Sequence, residues 1–266
     1  MKIYICSDLE GASGVVSRDQ TRSDSPDYAK ACEWLTLDVN AAVEGAIQGG
    51  ASEVLVLDGH GARGGRNLVY DLLHNGARYI QGTPWREYLQ SLDSSFDGLF
   101  LIGAHAMSGT LGAVLEHTMS SEAWVEMTIN GRPMGEIGLE AALAGECGVP
   151  LAMISGDDKA CAEGAALSPG VECAVVKVGI SRSSAILLPP EPARSLIREK
   201  AKTAVANLKR VKPFSIEPPV EIRITYFRAD MVERIREREG VRKLGPTTVA
   251  YTGSSVKHAF SRVLGG

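Results

Sequence analysis

The sequence predicts an α/β protein with a mostly parallel sheet, helices on both faces of that sheet, and a smaller α+β unit at the carboxyl end. Short, nearly continuous apolar runs alternate with longer amphipathic segments, as is typical of parallel strands covered on both faces. Glycine, alanine or polar residues follow most of these runs directly. The 266 residues suffice for one large domain or two modest ones. We expect a main domain over 1–212 and an accessory α+β unit over 213–266.

Five apolar runs predict the strands of the main sheet. They cover residues 2–7, 53–57, 99–102, 151–154 and 174–178. A helix is predicted over 28–47, where apolar residues recur at steps of three and four. Two more are predicted over 135–147, which is rich in small residues, and over 191–208, which is charged on one side. In such sheets ligands bind outside the carboxyl ends of the strands. Polar residues that follow different strands are therefore expected to converge on one rim.

Two further segments have different patterns. Residues 124–134 predict a hairpin around an Asn130-Gly131 turn. Beyond Pro213 the tail begins with a linker signal at Pro218-Pro219 and continues with predicted strands over 220–226 and 247–251. A helix is expected over 230–239, with Asp230 as its cap. The tail contributes no candidate metal motif, so we expect it to serve packing or assembly.

Composition excludes several classes of protein. The net charge of −4 and the pI near 5.8 argue against a protein that mainly grips phosphate backbones. No apolar run approaches the roughly 18 residues of a membrane span, and the amino-terminal run is too short for a signal peptide. The five widely spaced cysteines form no CxxC pattern, which argues against a disulfide framework. These features favour a cytoplasmic protein.

A small set of polar residues carries the candidate chemistry. His60 and His105 each follow an apolar strand, and Asp8 and Glu10 are separated by one residue, so that in extended chain their side chains share a face. Imidazole and carboxylate suit zinc and related metals, and two carboxylates in one pocket repel each other unless a cation or proton joins them. The residues alone leave open that Asp8 caps a turn while Glu10 is solvated.

Several motifs together carry a resemblance to a known family. They are Asp8-Leu9-Glu10-Gly11, Asp58-Gly59-His60, Gly103-Ala104-His105, His117, residues 130–139, Gly156-Asp157-Asp158 and Ile180-Ser181-Arg182-Ser183. In this order, along nearly the whole chain, they resemble the D-aminopeptidase family, peptidase family M55. The resemblance implies a self-compartmentalising zinc aminopeptidase that removes an N-terminal D-residue, such as D-Ala, from short peptides or amides. It also implies a homodecamer of two pentameric rings.

The resemblance implies a role for each matching position. Asp8 corresponds to a carboxylate that bridges two zinc ions in each subunit. Glu10 and His60 correspond to the other ligands of one ion, and His105 and Glu136 to those of the second. His117 corresponds to a catalytic histidine beside the metals that acts as nucleophile or base. By its position alone, Glu136 is a glutamate in the first turn of a predicted helix, where the helix dipole favours a negative charge.

Two other functions remain open at this stage. A dinuclear metal phosphoesterase uses the same paired metals, and it should add arginine or lysine clamps, for which Arg63 and Arg66 near His60 are candidates. A peptide-binding protein of a transport system would need no catalysis, but it would normally carry an export signal. A phosphate loop is a weaker interpretation of the glycines, since no GxxxxGK[ST] or GxGxxG motif follows a strand.

Overall fold

The computed structural model describes residues 1–265, which form two β-sheets and six α-helices. The strands are β1 (Lys2–Ser7), β2 (Glu53–Asp58), β3 (Arg78–Ile80), β4 (Gly98–Ala104), β5 (Trp124–Ile129), β6 (Arg132–Pro133), β7 (Leu151–Asp157), β8 (Glu172–Ser181), β9 (Ser184–Leu187), β10 (Val220–Tyr226), β11 (Val241–Lys243) and β12 (Thr248–Gly253). The helices are α1 (Tyr28–Gln48), α2 (Glu136–Glu146), α3 (Asp158–Leu167), α4 (Pro190–Asn207), α5 (Ala229–Glu233) and α6 (Val256–Leu264).

The larger sheet has seven strands in the order β3-β2-β1-β4-β7-β8-β9. All neighbouring pairs are parallel except β8 and β9, which form an antiparallel hairpin at one edge. All five predicted strands are present, and the mostly parallel α/β class is confirmed. The short edge strands β3 and β9 were not predicted, because three or four residues of mixed polarity carry no clear periodicity.

Alternation along β1 divides the hydrophobic core into two layers. Ile3 and Ile5 point to one face of the sheet, where they pack with α1 and α4. Tyr4 and Cys6 point to the opposite face, where α2 and the smaller sheet cover them. Because the side chains of a strand alternate with period two, each central strand contributes to both layers. Helices therefore lie on both faces, as predicted.

The smaller sheet joins the tail to the middle of the chain. Its order is β11-β12-β10-β5-β6, and all its pairs are antiparallel. Strand β10 of the tail pairs with β5 of the predicted 124–134 hairpin, with Ile222 opposite Ile129. The smaller sheet thus takes strands from both sides of residue 212, and the division into domains at that residue stays a prediction.

The predicted helix over 230–239 is wrong in its extent. Helix α5 covers only Ala229–Glu233, and Arg228 rather than Asp230 precedes its first residue. Val232 is the single buried side chain of α5, and the charged residues after it offer no apolar stripe that would hold a longer helix against the core. Asp230 instead accepts a hydrogen bond from Arg228 at 2.9 Å.

Helices α3 and α6 were not predicted. Helix α6 buries Val256, Ala259 and Phe260, and the Ser255 side chain caps it by accepting a hydrogen bond from the His258 amide. A serine before this apolar pattern was the available signal. None of the helices in residues 1–265 combines the length and apolar character needed to cross a membrane.

Candidate active site

The site lies where three neighbouring strands of the larger sheet end. Asp8 follows β1, His60 follows β2 shortly after its end, and His105 follows β4; β1 lies between the other two strands. The carboxyl ends of these parallel strands meet at one rim, so residues far apart in the sequence come together, as expected. Glu136 reaches the same place as the first residue of α2.

Two imidazoles contact three carboxylates there. His60 Nε2 lies 3.3 Å from Glu10 Oε1. His105 Nε2 lies 3.4 Å from Asp8 Oδ2 and 3.2 Å from Glu136 Oε1, so one nitrogen joins two of the predicted ligands. Asp8, Glu10 and His105 each offer a ligand atom within 4.8 Å of the others, as do His105, His117 and Glu136.

The Nδ1 atoms of His105 and His117 already have hydrogen-bond partners. His105 Nδ1 lies 3.0 Å from the Ala106 carbonyl, and His117 Nδ1 lies 2.9 Å from the Leu115 carbonyl. A carbonyl can only accept, so both Nδ1 atoms carry a proton and donate it. The Nε2 atoms, which face the carboxylates, therefore have a free lone pair when the rings are neutral.

Asn67 fixes the ring of His60 and was missed by the sequence analysis. Its Nδ2 donates to Asp58 Oδ1 at 2.6 Å and to the His60 carbonyl at 2.7 Å, so its Oδ1 must be the acceptor 3.0 Å from His60 Nδ1. Tyr28 donates to the same oxygen. Asn67 follows no strand and belongs to no recognised motif, so only the folded loop reveals its role.

The His117 ring stacks on the ring of His105. The ring centroids are 4.0 Å apart with an interplanar angle of 11°, and His117 Nε2 lies 3.9 Å from Glu136 Oε1. Leu115, two residues earlier, has a left-handed backbone with φ of 53°. Its amide donates to the Arg182 carbonyl at 2.9 Å, which ties the loop to the β8–β9 hairpin. His117 is thus held beside the predicted ligands by contacts within its own loop and beyond it.

The pKa shifts of the site residues reflect the negative charge that is concentrated there. Burial lowers the pKa of His60, but the carboxylates of Glu10 and Asp8 outweigh it and raise that pKa to about 10. Burial raises the pKa of Asp8 well above its usual range, and the nearby Glu10 raises it further. For Glu10, burial acts in the same direction, but His60 holds the pKa well below its usual value. The raised pKa values of His60 and Asp8 both reduce the net negative charge of the site, and a bound cation would reduce it in the same way.

The donor atoms fit a divalent metal of the zinc type. Carboxylate oxygens and imidazole nitrogens are the ligands that such metals take in hydrolytic sites. The second carboxylate oxygen of Glu10, Oε2, is buried and has no hydrogen-bond partner. A buried, unpaired carboxylate oxygen is costly, and a metal ion is one partner that would satisfy it.

A cavity of about 1230 Å³ opens above the site. Asp8, Glu10, His60, His117 and Glu136 lie in its wall. Its opposite parts are formed by the segment around Trp85 and by α6, which contributes Lys257 and Phe260. The tail therefore helps to enclose the site, a role that its sequence did not indicate. Arg63 and Arg66, the candidate phosphate clamps, are not among the residues that line the cavity.

Comparison with known proteins agrees with this geometry. The family model described as D-aminopeptidase, peptidase M55, matches residues 1–264. A D-aminopeptidase of Bacillus subtilis strain 168 is 34% identical over 267 residues, which covers 99% of this chain and 96% of the relative. The family match and this relative place the chain among the metallo-aminopeptidases. The chain belongs to the D-aminopeptidase family, peptidase M55, and the resemblance seen in the sequence is confirmed.

A solved structure shares the fold over the same extent. It is the zinc-dependent D-aminopeptidase DppA from Bacillus subtilis, a self-compartmentalizing protease. The TM-score is 0.94 at 32% sequence identity, and the superposition covers 99% of this chain and 96% of DppA. The predicted α/β class therefore holds for the whole architecture, including the smaller sheet.

The hydrogen bond from His60 to Asn67 generates a prediction. Asn67→Ala removes the acceptor that orients the His60 ring, and we expect zinc to bind about 10 to 100 times more weakly. Competition with a chromophoric chelator measures this affinity. Asn40→Ala is the matched control, because Asn40 also bonds loop backbone, at Leu72 and His74, but away from the site. Equal zinc affinity in wild type and Asn67→Ala would contradict the orienting role.

Proposed function

We propose that this protein is a zinc-dependent aminopeptidase that removes the N-terminal residue, a D-amino acid such as D-Ala, from short peptides or amides. One observation carries the proposal. In a chain of the D-aminopeptidase family, three carboxylates and the Nε2 atoms of two histidines converge at the wall of a large cavity, and one buried carboxylate oxygen among them has no partner.

The proposed site holds two zinc ions per subunit. Asp8 would bridge the ions, with Glu10 and His60 completing one ligand set and His105 and Glu136 the other. The contact between His60 and Glu10 and the contacts of His105 with Asp8 and Glu136 support this division. Zinc, when bound, polarises a substrate carbonyl and makes water nucleophilic near neutral pH. The protein supplies the fixed positions of the ligands.

His117 is proposed as the catalytic acid–base group. Its Nδ1–H is held by the Leu115 carbonyl, which leaves Nε2 to accept a proton at the cavity wall. Burial lowers the pKa of His117, and the neighbouring His105 lowers it further, so the neutral ring is favoured. A neutral imidazole can take a proton from the attacking group and return it to the leaving amine.

The cavity is suited to short peptides. Its volume exceeds the 300–1,000 Å³ typical of small-molecule sites. Trp85, Tyr88 and Phe260 form an aromatic wall in edge-to-face contact, which offers apolar surface to a substrate side chain. The preference for D-residues is inferred from the family and from its Bacillus subtilis relative, a D-aminopeptidase. The phosphoesterase alternative is disfavoured by the family.

Assembly into a homodecamer of two pentameric rings is part of the proposal. The relative DppA is described as self-compartmentalizing. This chain exposes apolar side chains along the β8–β9 hairpin, where Ile180 is 60% and Ile186 is 64% exposed, and in the tail at Phe227 and Leu264. Exposed apolar side chains that cluster on one hairpin are typical of contact sites between subunits. A cytoplasmic location is also proposed, consistent with five free cysteines.

Of the predictions that follow from the proposed function, the first concerns the reaction. Purified protein is expected to contain about two zinc ions per chain, to cleave D-alanyl peptides or D-alanine p-nitroanilide, to lose activity with a chelator and to regain it with zinc. Elemental analysis and a panel of D- and L-substrates measure this. Equal or faster turnover of the L-substrate would contradict D-specificity but not metallopeptidase action. Hydrolysis of phosphate esters with inert peptides would instead support the phosphoesterase.

The second prediction concerns His117. His117→Ala is expected to keep its zinc but to lose kcat by about 100-fold or more, because no other imidazole with an unassigned Nε2 faces the cavity among residues 1–265. Zinc content and steady-state kinetics measure the two effects separately. His74→Ala serves as control, since His74 lies outside the cavity lining. Near-normal turnover of His117→Ala would assign the ring to packing.

The third prediction concerns assembly. Size-exclusion chromatography with light scattering is expected to show a large particle, and Ile186→Glu is expected to dissociate it by placing charge in the exposed apolar hairpin. Tyr70→Glu is the matched control, because Tyr70 is 79% exposed but stands apart from the hairpin. A wild-type monomer of 28.3 kDa would overturn the proposed decamer.

A further inference from the structure

A lysine is buried in the larger sheet with no part in the chemistry described above. Lys177 lies on β8, and its side chain is 1% exposed. Its Nζ donates three hydrogen bonds, to the carbonyls of Glu10 at 2.7 Å, Ala12 at 2.8 Å and Val15 at 2.5 Å. Three acceptors use all three hydrogens of an ammonium group, so the side chain is charged. Lysine is almost never fully buried without such partners.

The three carbonyls belong to the loop that carries the metal ligand Glu10. The amides of Asp8 and Gly11 in this loop donate to the Ile102 and Gly103 carbonyls of β4. Ser13 donates to the buried carboxylate of Asp38 through both its amide and its hydroxyl. Lys177 adds donors for three carbonyls of the loop, of which that of Ala12 also accepts from the Val15 amide.

Besides these hydrogen bonds, the loop packs closely against the rest of the protein. A Cβ on Gly11 would lie 2.0 Å from the Ala104 carbonyl oxygen, so the backbone packs directly against backbone there. Nearly all residues from Glu10 to Val15 are buried, and buried carbonyls without partners are costly. Strands β4 and β7 stand between β8 and β1 in the sheet, so Lys177 links the loop to a strand that is otherwise remote from it.

We infer that Lys177 is a positioning residue that fixes Glu10 for metal binding. This inference rests on the proposed two-metal function. By holding the carbonyls of residues 10, 12 and 15, Lys177 sets the direction in which the Glu10 side chain leaves the backbone. Groups that hold metal ligands in place contribute about 10- to 100-fold to metal affinity.

The inference makes the two metal equivalents respond differently. Glu10 is assigned to one ion, and His105 and Glu136 to the other. Removing the ammonium in Lys177→Met is therefore expected to weaken one zinc equivalent by about 10- to 100-fold and to leave the other within about threefold. General destabilisation of the fold would weaken both equivalents alike.

Stepwise zinc titration of the metal-free protein against a chelator tests this. Lys177→Gln keeps hydrogen-bond donors but not the charge, and it is expected to give a smaller loss; it also carries the test if Lys177→Met does not fold, as judged by circular dichroism. Lys200→Met is the control. Lys200 pairs with Glu172, which lies on the same strand as Lys177, but the Lys200 side chain is only partly buried. Unchanged affinity, or equal loss at both equivalents, would overturn the inference. Failure of the wild type to bind two zinc ions would instead overturn the proposed function.

Discussion

The site depends on negative charge that the fold concentrates in one place. Three carboxylates lie within contact of two imidazoles at the rim of the sheet, and one carboxylate oxygen is buried without a partner. The backbone of the surrounding loops is held by hydrogen bonds to other parts of the protein. These side chains therefore cannot move apart without breaking those bonds. Opposite charge must therefore be provided, and the protein provides it through the histidine rings and through Lys177 behind the loop. A divalent cation held by these ligands would complete the same balance.

The rim itself was predictable because it follows from strand periodicity. Apolar runs marked β1, β2 and β4, and parallel strands place the residues after them at one edge, which brought Asp8, Glu10, His60 and His105 together. Glu136 and His117 were different. One begins a helix and the other lies in a loop with a left-handed residue, and neither position has a period to mark it. Only the family resemblance connected them with the site.

The residues that support the ligands were the hardest to foresee. Asn67 acts through a folded loop, and Lys177 stands inside the run 174–178 that was recognised only as a strand. A lysine in a strand buried on both faces is itself a signal, because its charge must find partners inside the protein. The predicted extent of α5 was wrong because the charge pattern was typical of a helix, whereas no apolar surface of the core was available to hold its later residues.

The contribution of α6 to the cavity wall has a consequence for how the enzyme is made. All the proposed ligands lie between residues 8 and 136, whereas Lys257 and Phe260 close the cavity from a helix far later in the chain. During synthesis the metal-binding groups emerge from the ribosome well before the wall that confines substrate. The ligands, and Lys177 behind them, are therefore synthesised before the helix that completes the cavity wall. Helix α6 thus adds the final part of that wall.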